Sequence, residues 1–245
     1  MKQEIKDAIA ALRQGRPPER YERNLGTVGV AGQIRLLEAC AVVIGAGGLG
    51  GTAVELLARM GVGRIRIIDG DTFAPHNLNR QVMATEQNLG RNKAVCAACR
   101  VRSINSQIEV EAVPEMFSSD NAEKFLSGAN VALDALDNIS GRLLLSRTAK
   151  KLKIPLVHAA IAGFTGQVTT VFPDDPGLER LYGQSGGHER GIEAALGNPA
   201  ATPAFAAAMQ VQEAVKIITG VGEPLRNQLF FFDLENNAFE RIMLS

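Results

Sequence analysis

The chain has 245 residues, 46% of them hydrophobic, enough to bury a sizeable core in a single domain. Lys plus Arg and Asp plus Glu stand at 26 each, so no global field draws the molecule to nucleic acid or to an anionic membrane surface. No apolar run approaches the ~20 residues needed to span a bilayer, and the charged start MKQEIKDAIAALRQ is unlike a signal peptide, so a cytoplasmic protein is expected.

The first predicted element is an amphipathic helix over 3–14, with Ile5, Ala8, Ile9 and Leu12 on one face and the Pro-rich GRPPER at its exit. It opens an N-terminal helical arm, 1–39, and docking on its own domain is the expectation. Over 40–160, short β-branched runs alternate with longer helical periods, the pattern of successive βα units. Strands are predicted over 41–44, 64–68, 109–112, 131–136 and 155–158, and helices over 52–60, 91–105, 120–126 and 141–152. Gly61 reads as a C-cap, and Asp120 with Glu123 as a capping box. The fold class is therefore α/β, a Rossmann-like doubly wound and mostly parallel sheet. Over 161–245 the alternation changes. GQVTTVF reads as a strand, 173–203 as a long surface loop, 204–219 as a helix ended by Gly220, and NQLFFFDLENNAFERIML as two antiparallel strands about a Glu-Asn-Asn turn.

Between the first strand and the next helix stands GAGGLG, in which Gly45, Gly47 and Gly50 make G-x-G-x-x-G around Gly48. Glycines there permit a tight turn and close backbone approach, while the helix N-terminus attracts phosphate. Asp69 closes the second strand, where an acid that hydrogen-bonds a ribose hydroxyl belongs. Glycines also serve helix–sheet packing, but the strand–turn–helix context and Asp69 favour a nucleotide. Asn77, Arg80, Gln81 and Lys93 follow in loops on the same side of the sheet. Two cations with amides suit a triphosphate better than a dinucleotide.

The motifs GAGGLG, DGD, NLNRQ, GRNKA and DALDN, in this order, resemble the E1-like family of ubiquitin-like protein activating enzymes. Within that family the likeness is to the MoeB, ThiF and HesA group, the bacterial adenylyltransferases for molybdopterin synthase and the thiamin sulfur carrier. The resemblance runs from RYERNLG to the end of the chain and implies an ATP- and Mg2+-dependent adenylyltransferase. Its partner would be a small ubiquitin-like sulfur carrier whose Gly-Gly tail carboxylate attacks the α-phosphate. Asp69 would hold the ATP sugar with Asp71 nearby. Asn77, Arg80 and Lys93 would grip the triphosphate, and Asp137 would coordinate magnesium. Arg23 in RYERN matches an arginine that homodimers of this family insert into the partner's site. The 161–245 part would carry acceptor binding and the dimer contact, with the tail beside GFTGQVTTVF, where Gly163 and Gly166 leave backbone room.

Each role has a plainer alternative. Arg80 and Lys93 are singly ordinary surface charges, and Asp137 could instead cap the helix that begins near Ser140. Relatives with structural zinc use two C-x-x-C pairs, whereas here Cys96 and Cys99 form one pair, predicted inside a helix with both thiols turned to packing, so no zinc is expected. Some relatives carry a thioester-forming cysteine in the loop after the sheet. That stretch has none here, and its Ser185 and His188 read as solvent-facing, so chemistry should stop at the acyl-adenylate. His76 and His158 are read as structural or substrate-contacting. An ATP-dependent enzyme acting on a small molecule, peptide or modified tRNA stays open beside the carrier reading. A dehydrogenase leaves Arg80 with Lys93 unexplained, and a non-catalytic scaffold leaves Arg80, Lys93 and Asp137 unexplained.

Overall fold

The computed structural model describes residues 1–183 and 196–244. One sheet of eight strands organises them, in the order β3-β2-β1-β4-β5-β6-β7-β8. Strands β1 (Cys40–Ile44), β2 (Arg64–Ile68), β3 (Glu109–Val113), β4 (Val131–Asp134) and β5 (Leu156–Ala162) run parallel, while β6 (Thr165–Val171), β7 (Gln228–Asp233) and β8 (Ala238–Met243) complete it antiparallel.

Burial on both faces explains why β1 reads CAVVI without polar alternation. Ala41 and Val43 face one core with α3 (Gly48–Met60), α4 (Lys93–Ile104) and α8 (Ala201–Thr219), whereas Val42 and Ile44 face a second core with α5 (Ala122–Leu126) and α6 (Ile139–Lys151). The N-terminal helix α1 (Gln3–Arg13) buries Ile5, Ala8, Ile9 and Leu12 against Tyr21 and Leu37, so the arm packs on its own domain as expected. Leu37 belongs to α2 (Glu22–Glu38), which is broken at Gly29, where φ is 69°. Among the described residues, no helix is long and apolar enough to cross a membrane.

The predicted elements are present, with informative errors. Helix α3 starts at Gly48 rather than 52, because its glycines lower intrinsic propensity while the packing of the turn holds them helical. Gly61 is the left-handed C-cap, with φ 79°. The Asp120–Glu123 capping box does not form: the helix starts at Ala122, and Asn121 uses its Oδ1 to accept the Ser118 N–H at 2.9 Å. Strand β4 ends at Asp134, earlier than predicted, because the chain must turn there to begin α6. Strand β5 continues to Ala162, beyond the predicted 158, since its hairpin partner β6 pairs with the small-residue run that has little β signature of its own. Gly163, at φ 56°, and Phe164 make the two-residue turn.

The region 173–203 is not a surface loop throughout. Asp175 is buried and takes a forked ion pair from Arg226 at 2.8 and 2.9 Å, Leu178 enters the second core, and a four-residue helix, α7 (Glu179–Tyr182), follows. Helix α8 begins at Ala201, ahead of Pro203, which a first helical turn tolerates. Ser185 and His188 lie outside the described residues.

Candidate active site

Order in the sheet decides where a ligand can sit. Strands β1 and β4 are neighbours, so connections from β1 and β4 leave to opposite faces and open a crevice at the strands' carboxyl ends. The lining comes from that end: Gly45, Gly47, Asp69, Asp71, Arg80, Gln81, Lys93 and Asp137, with Met116, Phe117 and Leu136 as apolar walls.

The glycines divide into two kinds. A Cβ at Gly45 (φ 97°) would stand 2.5 Å from the Ala135 carbonyl oxygen, and one at Gly50 would stand 1.9 Å from the Gly45 carbonyl oxygen. Those two let strand, turn and helix close on one another. At Gly47 the nearest neighbour is the Gln81 carboxamide at 3.6 Å, and at Gly48 contacts begin at 3.4 Å with Arg80 and Pro203. Room at these two positions faces the crevice, where the N-cap Gly47 supplies no side-chain cap and leaves first-turn N–H groups of α3 without a capping side chain.

Asp69 accepts the Ala46 N–H through Oδ2 at 2.7 Å and the Asp71 N–H through Oδ1 at 2.8 Å. Burial pushes its carboxyl above the usual carboxylate range, against the opposing pull of those two N–H groups and of Lys93. Lys93 is 8% exposed at the first position of α4, its Nζ 3.0 Å from Asp71 Oδ2. Asn92 ahead of it is the cap that sequence reasoning missed. Its Oδ1 takes the Val95 N–H, and its Nδ2 donates to the carbonyls of Asp69 and Asp71, stitching GRNKA to DGD.

Arg80 reaches the crevice from the loop after β2, its Nη1 donating to the His76 carbonyl at 3.1 Å and to Asn79 Oδ1 at 2.9 Å. Gln81 is 5% exposed, with an Oε1 that has no hydrogen-bond partner beside the crevice, a polar atom suited to a ligand. Asn77 departs from the expected phosphate contact. It is buried, gives its Oδ1 to the Ala74 N–H at 3.0 Å, and offers its carbonyl to the N–H groups of Arg80 and Gln81, so it shapes the loop rather than lining the crevice.

Asp137 is exposed at the crevice and does not cap α6; Asn138 does, accepting the Gly141 N–H at 2.7 Å. Among the described residues, no three His, Cys, Asp or Glu side chains converge as a metal cage. The exposed Asp137 carboxylate across the crevice from the glycine turn nonetheless suits a magnesium ion that keeps waters and phosphate oxygens as its other ligands. Arg23 is exposed, between Tyr21, which packs against Gly61, and Asn24, which bonds the Met60 carbonyl. That is the amino end of β2, the far end of the strand from Asp69. Cys96 is buried, whereas Cys99 is exposed, which corrects the expectation that both thiols pack inward.

A second cavity adjoins the crevice, sharing Arg142, Ala160 and Ile161 as a common wall. Ile139, Ala162, Phe231, Thr165, Gln167 and Tyr182 complete most of its lining. Gly166 also lines it, while on the side where a Cβ would stand the Phe232 ring lies 2.3 Å away, so glycine there lets that ring pack against the strand. Arg142 and Tyr182 carry no motif and could not be found from sequence.

Fold and site together define a nucleotide-binding α/β protein of the doubly wound class, with a cation-lined crevice at its switch point. The chain belongs to the ThiF family, whose match spans residues 21–245. It is 37% identical over 229 residues to the SAMP-activating enzyme E1 of Haloferax volcanii, covering 91% of this chain and 84% of that protein. It is 35% identical over 238 residues to the sulfur carrier protein adenylyltransferase of Thermus thermophilus, covering 91% and 86%. Among solved structures, Escherichia coli MccB with ATP superimposes with a TM-score of 0.80 over 98% of this chain and 76% of that one, at 21% identity, a likeness of fold.

Proposed function

We propose that the protein is an ATP-dependent adenylyltransferase that activates the C-terminal glycine carboxylate of a small ubiquitin-like sulfur carrier, releasing pyrophosphate. The observation that carries this reading is the largely apolar second cavity that shares a wall with the nucleotide crevice, where an extended peptide end would lie with its carboxylate towards the phosphates. Family membership and relatives named as E1 and sulfur carrier adenylyltransferase support the same reaction.

Two anions must meet for the carboxylate to attack the α-phosphate. Asp69 would hold the ribose, and first-turn N–H groups of α3, Arg80, Gln81 and Lys93 would receive the phosphates. Asp137 would hold magnesium, which when bound neutralises charge on the leaving pyrophosphate. Attack forms the carboxyl–phosphorus bond as the α–β phosphoanhydride breaks, with no covalent enzyme intermediate. Asp71 sets the Lys93 ammonium, and Asn77 sets the Arg80 loop. Arg23, at the far end of the strand, acts in the site of the partner in a homodimer.

ATP–pyrophosphate exchange with magnesium and purified small ubiquitin-fold proteins ending in Gly-Gly tests the reading. Exchange that needs the intact tail is the expected result. ATP binding with a silent panel would overturn the carrier assignment and turn the search to a small molecule, another peptide or a tRNA.

A further inference from the structure

The buried His158 and the half-buried Tyr182 form a polar chain that the adenylation chemistry does not use. His158 is 0% exposed on β5, with Nδ1 2.7 Å from Asp134 Oδ2 and Nε2 3.0 Å from the Tyr182 hydroxyl. That hydroxyl also receives Arg142 Nη1 at 3.2 Å and Gln167 Nε2 at 3.0 Å. Two incoming donors occupy the oxygen's lone pairs, so its own proton goes to His158 Nε2. Nε2 is then the acceptor, Nδ1–H donates to Asp134, and the imidazole is neutral in one tautomer. The charged and titratable groups around the ring are Asp134 from β4, Arg142 from α6 and Tyr182 from α7, with Gln167 of β6 and Gln210 of α8 closing the network.

Both ends of this chain reach functional ground. Gln167 and Tyr182 line the second cavity, and Arg142 stands on the wall it shares with the nucleotide crevice. At the other end, Asp134 Oδ1 accepts the Leu136 N–H at 3.0 Å while Arg142 donates twice to the Leu136 carbonyl, at 2.8 and 3.1 Å. Leu136 is thus held at both of its peptide groups, one residue before Asp137.

We propose that Asp134, His158 and Tyr182 are positioning residues that lock the polar wall of the tail cavity to the Asp137 loop, so that an acceptor tail seated against Arg142 and Gln167 meets the α-phosphate in register. The inference rests on the carrier reading. It assigns a role to groups that touch neither nucleotide nor metal.

The test uses the full-length protein with whichever Gly-Gly carrier it adenylates. Tyr182→Phe keeps the ring and removes only the junction. It should raise the carrier KM about tenfold and leave ATP affinity, measured by calorimetry, within about twofold. His158→Phe should match Tyr182→Phe, His158→Gln should recover much of the loss by keeping a donor and an acceptor, and the double Phe variant should be no worse than either single one. A wild-type carrier KM in Tyr182→Phe would overturn the proposal, as would a parallel fall in ATP affinity, the mark of general damage. Should His158→Phe fail to fold, Tyr182→Phe decides alone. Absence of carrier-dependent exchange in the wild type, with ATP bound, would remove the carrier reading and this inference with it.

Discussion

At the scale of single residues, the two pairs of glycines in GAGGLG make opposite demands. Gly50→Ala drives a methyl group into the Gly45 carbonyl oxygen, and with backbone on both sides nothing flexible can yield. It should destabilise the fold by about 3 kcal/mol or more, read from urea denaturation. Gly47→Ala meets only the end of a glutamine side chain. Its stability should change by less than about 1 kcal/mol while ATP affinity falls about tenfold or more, since the room it fills belongs to the ligand. Equal stability losses for the two variants would contradict this division.

His158 carries a pH signature at the same scale. Burial, opposed by Asp134, holds its pKa below the usual histidine value, so the folded ring stays neutral while the unfolded one takes up a proton. The unfolded state then binds more protons as pH falls below about 6.5, and stability falls with it, by at most about 1.4 kcal/mol per pH unit. Urea titrations at pH 7.5 and 5.5 should show this decline, and His158→Gln should flatten it. An unchanged slope in that variant would place the acid sensitivity elsewhere.

Elements show how a weak local signal gains meaning from what covers it. Helix α1 is legible because its apolar stripe has a period of a helix face, and its packing on Tyr21 and Leu37 makes it part of the domain. Leu12→Ala should therefore cost about 2–4 kcal/mol, a core value rather than the near-zero change of a loose arm, as measured by chemical denaturation. Helix α7 lies at the opposite extreme. Four residues are too few to display any period, and it is the burial of Leu178, the Asp175–Arg226 pair and the hydrogen bonds of the Tyr182 hydroxyl that anchor the segment. Strand β5 was half legible for a related reason, because its last residues are small and its length is set by β6.

For the whole molecule, the separation of Arg23 from the crevice leads to a test of assembly. Arg23→Ala and Lys93→Ala subunits should each be inactive alone, and co-expressed heterodimers should regain activity through the one site that retains Lys93 and receives Arg23. Verified heterodimers without recovery would contradict the action of Arg23 in the partner's site. A neutral overall charge accords with a partner recognised by fit and local contacts rather than by a long-range field.

Sequence alone determined the βα order and the glycine turn, and it singled out Asp69, Arg80, Gln81, Lys93 and Asp137, which the fold gathers at one crevice, because backbone freedom and charge are properties of residue types at fixed spacing. It could not determine that Asn77 supports a loop while Asn92 and Asn138 cap helices, since any of three asparagines can accept an N–H and only the fold says which one is near. The junction of Asp134, His158, Arg142, Gln167 and Tyr182 lies further beyond its reach. Those five residues come from five elements, and their shared hydrogen bonds exist only once β4, β5 and β6 are paired and α6 and α7 cover them. Tertiary structure decided that part because a buried polar group must find its partner in space, wherever the chain happens to bring one.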